Sequence, residues 1–108
     1  DIGGSRKSLA DVLACEPRPT SVFAHHDLLA AGLLLEARQL GVRVPDELAV
    51  VGFDDGSIAE AAGLTTVRQP FEESGRLGAR LLGDMLAGTS ASVQHITLGL
   101  ELVVRDST

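Results

Sequence analysis

Apolar residues recur at helical spacing in three stretches of the chain, and short continuous apolar runs lie between these stretches. Positions three to four residues apart share one face of a helix, so the pattern predicts helices over residues 5–15, 28–40 and 72–87. Continuous apolar runs predict buried strands at Ser21–Ala24 and Leu48–Phe53, of which the second should be central and parallel. This alternation of helix and strand indicates an α/β layered domain.

Shorter segments complete the predicted order of elements. Ser57–Ala62 is interpreted as a short helix or turn, Thr65–Arg68 as an extended segment and Thr89–Ser92 as a loop. A final strand is predicted over residues 95–105, because apolar side chains alternate with the rest and one face should be covered. The apolar positions of that strand are Ile96, Leu98, Leu100, Leu102 and Val104.

The helix over residues 28–40 has almost no polar face before Glu36. A helix that is apolar all round is buried on more than one side. The sheet should therefore cover one side, and something else must cover the other. Asp27 is placed to cap the start of this helix, and Gly41 stands just beyond its end.

The helix over residues 72–87 is amphipathic, and Gly88 ends it. Glu72 and Glu73 favour the positive end of its dipole. Its apolar side chains need a partner surface, because leaving a stripe of this size in water is costly. The stripe consists of Leu77, Leu81, Leu82, Met85 and Leu86.

Composition and charge restrict what this chain does by itself. A length of 108 residues suits one domain, and the net charge of −6 argues against binding to nucleic acid or to an anionic membrane. The sequence has no apolar run as long as a membrane span and no visible signal peptide. The lone Cys15 has no partner for an internal disulfide. The chain starts at Asp1 rather than Met, which suggests a fragment.

No catalytic or metal-binding constellation stands out in the sequence. His25 and His26 are adjacent and would diverge in a regular strand, and His95 is far along the chain, so a zinc site through these three is not expected. The sequence also lacks a glycine-rich phosphate loop and a nucleophile motif. We therefore expect neither an enzyme nor a bound cofactor.

Asp27 and Asp54 are the strongest candidates for ligand contacts. Each stands at the carboxyl end of a predicted parallel strand, so both should open onto the same rim of the sheet. A carboxylate accepts hydroxyl protons and orients its ligand strongly, which suits a neutral polyhydroxylated molecule. The alternatives are that Asp27 only caps a helix and that Asp54 is only a turn residue after its strand.

The neighbouring candidates each have a structural alternative. His26 is either a hydrogen-bonding partner of the ligand or a solvated loop histidine. Phe71 is either a stacking wall or a core residue. Asp55 is better explained as the cap of the short helix that follows at Ser57.

Several short motifs occur in a distinctive order and spacing, and together they cover nearly the whole chain. They are Arg18-Pro19-Thr20, Asp27 with Gly32, Gly41 with Val44-Pro45, Val50-Val51-Gly52-Phe53-Asp54-Asp55, Leu64-Thr65-Thr66-Val67 with Gln69-Pro70, Gly75, and the ending Glu101-Leu102-Val103-Val104-Arg105-Asp106-Ser107-Thr108. In this arrangement the chain resembles the lactose-repressor (LacI-type) family of bacterial transcription regulators.

The resemblance implies a periplasmic-binding-protein-like body of two lobes, with a sugar or nucleobase effector in the cleft. Residues 1–108 are similar to the C-terminal lobe alone, a three-layer α/β sandwich with a mostly parallel sheet. The resemblance further implies that the helix at 72–88 packs on the missing N-terminal lobe and that 95–105 is the final strand. DNA binding would belong to a head domain absent from this chain. The whole protein would be a cytoplasmic homodimer that does not bind membranes.

The family's ligand contacts correspond to His26 with Asp27, to Asp54 and to Phe71 in this sequence. His26 stands where the family usually has Asn, so the ligand chemistry at that point is altered. The family dimerises through the helix equivalent to residues 28–40. This equivalence implies a dimer interface that includes Ala31, Gly32, Leu34 and Leu35.

Other interpretations of the same residues stay open. A lobe of a periplasmic sugar-binding transport protein is the first, although the Asp54-Asp55 motif favours a repressor. A dimerisation module with a non-functional cleft is the second. A small flavodoxin-like enzyme is the third, and it would need a nucleophile or phosphate loop that the sequence lacks.

Overall fold

The computed structural model describes residues 2–89 and 94–108. Within these residues the elements follow the predicted alternation of helix and strand. In chain order they are α1 (Ile2–Ala14), β1 (Ser21–Phe23), α2 (Asp27–Gln39), β2 (Ala49–Val51), α3 (Ser57–Ala61), β3 (Thr66–Arg68), α4 (Phe71–Leu86) and β4 (Glu101–Val103). The loop predicted at Thr89–Ser92 lies outside the described residues beyond Thr89.

The chain divides into two compact units. Unit 1 contains the residues up to Arg68 together with Glu101–Thr108, and unit 2 contains Gln69–Leu100. Unit 2 is therefore an insertion between β3 and β4. The chain leaves unit 1 after Arg68 and returns to it at Glu101.

The strands of unit 1 are joined mainly by parallel contacts. β1 and β2 pair in parallel, with Val22 opposite Val50. Beyond β2 the backbone amides of Gly52 and Asp54 donate to the carbonyls of Thr65 and Val67, both at 2.9 Å. The ladder between β3 and β4 is antiparallel. This arrangement confirms an α/β fold with parallel strands, and it brings the carboxyl ends of β1 and β2 to one edge.

The core of unit 1 lies between β2 and the helices. Helix α1 packs along α2, and the Ser5 hydroxyl donates to the Leu29 carbonyl at 3.4 Å. Helix α2 needs a second cover besides the sheet, and α1 supplies part of that cover from the same chain. The buried apolar residues are Leu9, Ala24, Ala30, Leu33, Ala37, Leu48, Val50, Ala59 and Leu64.

The N-terminus of α2 differs from the prediction, whereas its C-terminus agrees with it. His26 is the N-cap, and its ring accepts a hydrogen bond from the Leu29 amide. Capping by Asp27 was therefore wrong, because Asp27 already belongs to the first helical turn. Gly41 follows the helix at φ 72°, a left-handed conformation that glycine adopts without a steric cost, so the predicted C-terminus is confirmed.

Strand β4 is shorter than the strand predicted over residues 95–105. Ladder pairing is confined to Glu101–Val103, because residues 94–100 belong to unit 2 and pair with no strand among the described residues. Among the described residues nothing covers the face that was expected to be covered, since Leu102 is 62% exposed and Val104 is 67% exposed.

Helix α4 is the amphipathic helix that the sequence predicts, and Gly88 ends it at φ 71°. None of its residues is buried by the rest of the described chain. Leu77 and Leu81 are half-buried, whereas Leu82, Met85 and Leu86 are exposed. An apolar stripe of this kind still requires a partner surface.

Candidate functional site

Asp27 opens α2 and is almost fully buried, with 4% of its surface exposed. Its Oδ1 accepts a hydrogen bond from the Thr66 hydroxyl at 2.6 Å, and its Oδ2 accepts one from the Gly56 amide at 2.7 Å. A buried carboxylate needs such donors, because desolvating it without them is costly. Asp27 therefore joins α2, β3 and the start of α3, and both of its oxygens are engaged inside the chain.

Gly52 makes room for this carboxylate. A Cβ atom at position 52 would collide with Oδ1 of Asp27 and would lie 2.9 Å from Cδ2 of Leu64. A glycine next to a strand often marks a position that neighbouring groups approach closely, and here those groups are side chains. The absence of a side chain at Gly52 is thus what allows Asp27 to lie under the end of β2.

The residues after β2 leave the strand with an unusual backbone conformation, and we call residues 54–56 the rim turn. Asp54 has φ 111° and Asp55 has φ 57°, and both values are unusual for residues other than glycine. The amide of Asp54 donates to the Val67 carbonyl at 2.9 Å, and the amide of Asp55 donates to the Thr66 hydroxyl at 3.3 Å. The surrounding hydrogen bonds therefore hold the backbone in a conformation that it would not adopt alone.

Two arginines bind the carboxylate of Asp55. Nε of Arg68 donates to Oδ2 at 2.7 Å, and a terminal nitrogen of Arg105 donates to Oδ1 at 2.8 Å. The hydrogen bond from Arg68 and then that from Arg105 lower the pKa of Asp55 from its ordinary value of 3.8. The N-cap of α3 is Gly56, so the prediction that Asp55 caps this helix was wrong.

His26 is half-buried at the start of α2, next to the rim of the sheet. Its Nδ1 accepts from the Leu29 amide at 3.0 Å, which assigns the proton of the neutral ring to Nε2. The ring of His25 packs edge-on against it at 4.3 Å between centroids. The ring of His26 is thus held in place by a cap and by a neighbour, and it carries an N–H donor on Nε2.

Phe71 begins α4 and belongs to unit 2, and the residue is 59% exposed. The alternative that Phe71 is a core residue does not hold within the described chain. A concavity of about 310 Å³ lies beside the ring within the same unit. Its lining residues are Gln69, Pro70, Phe71, Ser74, Ile96, Leu98 and Leu100.

The candidate dimer residues of α2 differ in how accessible they are. Gly32 is buried in the chain's own interior, and Leu34 is half-buried against the core. Ala31 is half-buried, and Leu35 is 47% exposed. Together with Leu28, which is 41% exposed, Ala31 and Leu35 form a stripe at helical spacing that a partner could contact.

Sequence reasoning missed the groups that hold the rim turn. Thr66, Gly56, Arg68 and Arg105 were not singled out, although each contacts Asp27 or Asp55. The pairs Asp27–Thr66 and Asp55–Arg105 are 39 and 50 positions apart, so no local pattern reveals them. The β3 segment Thr66–Arg68 runs beside the rim turn, so pairing this extended segment with the residues after β2 is a signal that could have found Thr66 and Arg68.

Among residues 2–89 and 94–108, no group of three or more His, Cys, Asp or Glu side chains is arranged to hold a metal ion. Of the helices described here, none is both long and apolar enough to span a bilayer.

Comparison with known proteins assigns the chain to a family. Residues 3–108 match the model of the periplasmic binding protein-like domain. The transcriptional regulator DegA of Bacillus subtilis is 42% identical over 106 residues, which are 96% of this chain and 32% of DegA. The regulator GntR of Pseudomonas aeruginosa is 40% identical over 109 residues, which are 99% of this chain and 31% of GntR. The chain therefore spans about a third of the length of the curated relatives that it matches.

Solved structures of regulators have the same fold. The complex of the transcriptional regulator CelR with cellobiose superposes with a TM-score of 0.90 at 37% identity, over 99% of this chain and 33% of that chain. These relatives are transcriptional regulators and not enzymes. The chain belongs to the periplasmic binding protein-like domain family, in the form carried by LacI-type transcriptional regulators, and it covers part of one such domain.

Proposed function

We propose that this chain is the C-terminal lobe of the effector-binding domain of a LacI-type regulator, and that it binds a sugar-like effector as one half of a cleft. The observation that carries the proposal is the rim turn. Asp54 lies there at the carboxyl end of β2, and the amides of residues 54–56 are all hydrogen-bonded to groups of other segments. Ligands of α/β sheets bind at the carboxyl ends of the strands, where such a preorganised acceptor is most useful.

The residues of the site have different roles in this proposal. Asp54 accepts hydrogen bonds from effector hydroxyl groups, and Nε2 of His26 donates one. Phe71 belongs to unit 2, and by itself it stays a predicted stacking contact for the apolar face of a sugar, because its side chain is exposed. Asp27 supports the rim turn from below, because both of its oxygens are already bound within the chain.

A sugar is the effector class best supported by the relatives. CelR has been solved as a complex with cellobiose, and its fold matches this chain at a TM-score of 0.90. A neutral sugar would also match a site that offers a donor on His26 and an acceptor on Asp54.

Effector binding would act on DNA through the rest of the protein. Closure of the two lobes around a ligand is a common way to transmit binding, and the intact regulator would convert it into a change in DNA affinity. The exposed stripe of α4 would be covered by the other lobe, because its apolar side chains are otherwise left in water. The intact regulator would be a cytoplasmic homodimer joined through the exposed side of α2.

Calorimetry on the intact regulator tests this function. Wild type, Asp54→Ala and the control Asp46→Ala, an exposed aspartate in the loop before β2, are titrated with a panel of sugars that begins with cellobiose. Loss of a charge-assisted hydrogen bond should weaken binding roughly ten- to hundredfold in Asp54→Ala alone. Absence of binding to every sugar by wild type would refute the sugar class. Equal binding by wild type and Asp54→Ala would refute the assigned site.

A further inference from the structure

Arg68 occupies a special place in the path of the chain. It is the last residue of unit 1 before the chain enters unit 2, and Glu101 is the first residue after the chain returns. The two residues are opposite each other in the β3–β4 ladder. The two connections between the units therefore leave unit 1 side by side, at one end of a two-stranded ladder.

The guanidinium of Arg68 also binds the rim turn. Its Nε donates to Asp55 at 2.7 Å, and one of its terminal nitrogens donates to Glu101 at 3.2 Å. A planar guanidinium presents its donors in a fixed geometry, so the positions of the two carboxylates are linked through it. The backbone adds a parallel bridge between Asp54 and Arg68. One side chain thus contacts both the turn that carries Asp54 and the strand on which the chain returns.

We propose that Arg68 is a positioning residue that couples the rim turn to the two chain connections between the units. This inference rests on the proposed function only in naming Asp54 as the effector contact. A ligand bound to Asp54 would favour one conformation of the rim turn. Through the contacts of Arg68, that conformation would in turn favour one conformation of the connections. Movement of one unit relative to the other, wherever it occurs, must be accommodated in those connections.

The two ion pairs of Arg68 differ in how far solvent weakens them. The side chain of Asp55 is 10% exposed, so its contact with Arg68 is shielded from solvent on one side. The side chain of Glu101 is 66% exposed and that of Arg68 is 48% exposed, so their contact is screened and easily broken. The link to the rim turn is therefore the firmer of the two, and the link across the connections is the one that a conformational change would break first.

Hydrogen exchange in the intact, ligand-free regulator tests the coupling. Peptides that cover the rim turn, the β3 exit and the β4 return are followed by mass spectrometry in wild type, Arg68→Gln and Glu101→Gln. Arg68→Gln should accelerate exchange about fivefold at both the rim turn and the connections. Glu101→Gln tests the coupling more directly, because among the described contacts the Glu101 side chain binds Arg68 and does not contact the rim turn. It should still accelerate exchange at the rim turn about twofold.

A matched variant controls for the general loss of an ion pair. Arg43 binds Glu47 at 2.7 Å, the same distance as the Arg68–Asp55 contact, but between α2 and β2. Arg43→Gln should leave exchange at residues 54–56 and 66–69 unchanged. A double variant adds a second check, since Arg68→Gln should no longer accelerate exchange at the rim turn when Asp55 is already Asn.

Each other outcome overturns the coupling. If Arg68→Gln loosens the rim turn but not the connections, Arg68 holds only the turn. If exchange in the core of α2 rises equally, Arg68 contributes to overall stability alone. If Glu101→Gln has no effect at the rim turn, the two contacts of Arg68 are independent. The test needs no effector, so a regulator that shows the coupling but binds no sugar would contradict the proposed function and not this inference.

Discussion

The Thr66 hydroxyl donates a 2.6 Å hydrogen bond to the carboxylate of Asp27, across 39 positions of sequence and inside the core. This bond fastens β3 to the first turn of α2. The second oxygen of the same carboxylate holds the amide of Gly56, so one buried charge connects the three segments that surround the rim turn. The residues that support the candidate site are therefore held by particular hydrogen bonds, as the residues of the site itself are.

Thr66→Val should destabilise the protein by about 2 kcal/mol, because the isosteric valine keeps the packing but deprives a buried carboxylate of a donor. Thr89→Val is the matched control, since its hydroxyl donates at 3.2 Å to the Asp84 carbonyl on the surface. The control should change the free energy of unfolding by less than about 0.5 kcal/mol. Urea unfolding measures both variants, and similar losses in the two would contradict the role of Asp27 as a buried junction.

Gly52→Ala should cost about 1–3 kcal/mol of stability, because the added Cβ meets Asp27 and Leu64 in a packed interior. Gly78→Ala should have the opposite sign. Position 78 lies within α4, and a Cβ there meets nothing within 4 Å, so alanine should stabilise the helix by roughly 0.5–1 kcal/mol. Thermal unfolding separates the two variants. A stable Gly52→Ala protein would show that the backbone at β2 shifts more easily than its packing suggests.

Asp54→Gly should weaken effector binding roughly ten- to hundredfold, as Asp54→Ala should, while changing stability much less. Asp54 has φ 111°, where glycine is favoured, so the substitution relieves backbone strain of roughly 1 kcal/mol or more. The carboxylate that would contact the effector is lost at the same time. Calorimetry and thermal unfolding of one sample supply both readouts. Parallel losses of binding and stability would instead make Asp54 a structural residue.

The contribution of Asp55 to stability should be lost only in strong acid. The pKa of Asp55 in the folded protein is lowered below its ordinary value of 3.8, first by Arg68 and then by Arg105. A depressed pKa stabilises the folded state fully at pH values well above 3.8, and this stabilisation disappears as the pH falls through the folded pKa. The stability difference between wild type and Asp55→Asn should therefore be constant near neutral pH and shrink below the ordinary pKa. Unfolding curves at several pH values measure it, and a difference that shrinks already near neutral pH would contradict the assignment.

Leu35→Glu should increase the monomer fraction of the intact regulator, because a charge on the exposed stripe of α2 opposes burial against a second copy. Leu40→Glu is the control, since Leu40 is 61% exposed but lies at the C-terminal end of the helix, off the stripe. Leu34 is less suitable for this test, because it packs against the chain's own core. Sedimentation velocity compares the variants, and an unchanged dimer in Leu35→Glu would locate the interface elsewhere.

The elements could be predicted from the sequence because their signals are local. Helical spacing located α2 and α4, and Gly41 and Gly88 marked their ends correctly. The final strand was overestimated for a physical reason. The alternation of side chains over residues 95–105 indicates an apolar face that must be covered. A β-ladder also requires a neighbouring strand, and among the described residues only Glu101–Val103 has one.

The region of the candidate site could be predicted from the sequence, but the different contacts of its three aspartates could not. Strand ends placed Asp27, Asp54 and Asp55 in one region. The sequence does not show that Asp27 is buried under Thr66, or that Asp55 is held by two arginines that arrive from β3 and from the segment after β4. Those facts depend on pairing over long separations, which local propensity does not encode.

The insertion of unit 2 into unit 1 has a consequence for synthesis. The Ser107 hydroxyl donates to the Val50 carbonyl at 2.6 Å, and the Thr65 amide donates to the Ser107 hydroxyl at 2.8 Å. On a ribosome that adds about 5–20 residues per second, Ser107 would be synthesised several seconds after β2 and β3. During that interval the nascent chain would present an unpaired strand edge at β3, and such edges are sites at which chains associate wrongly.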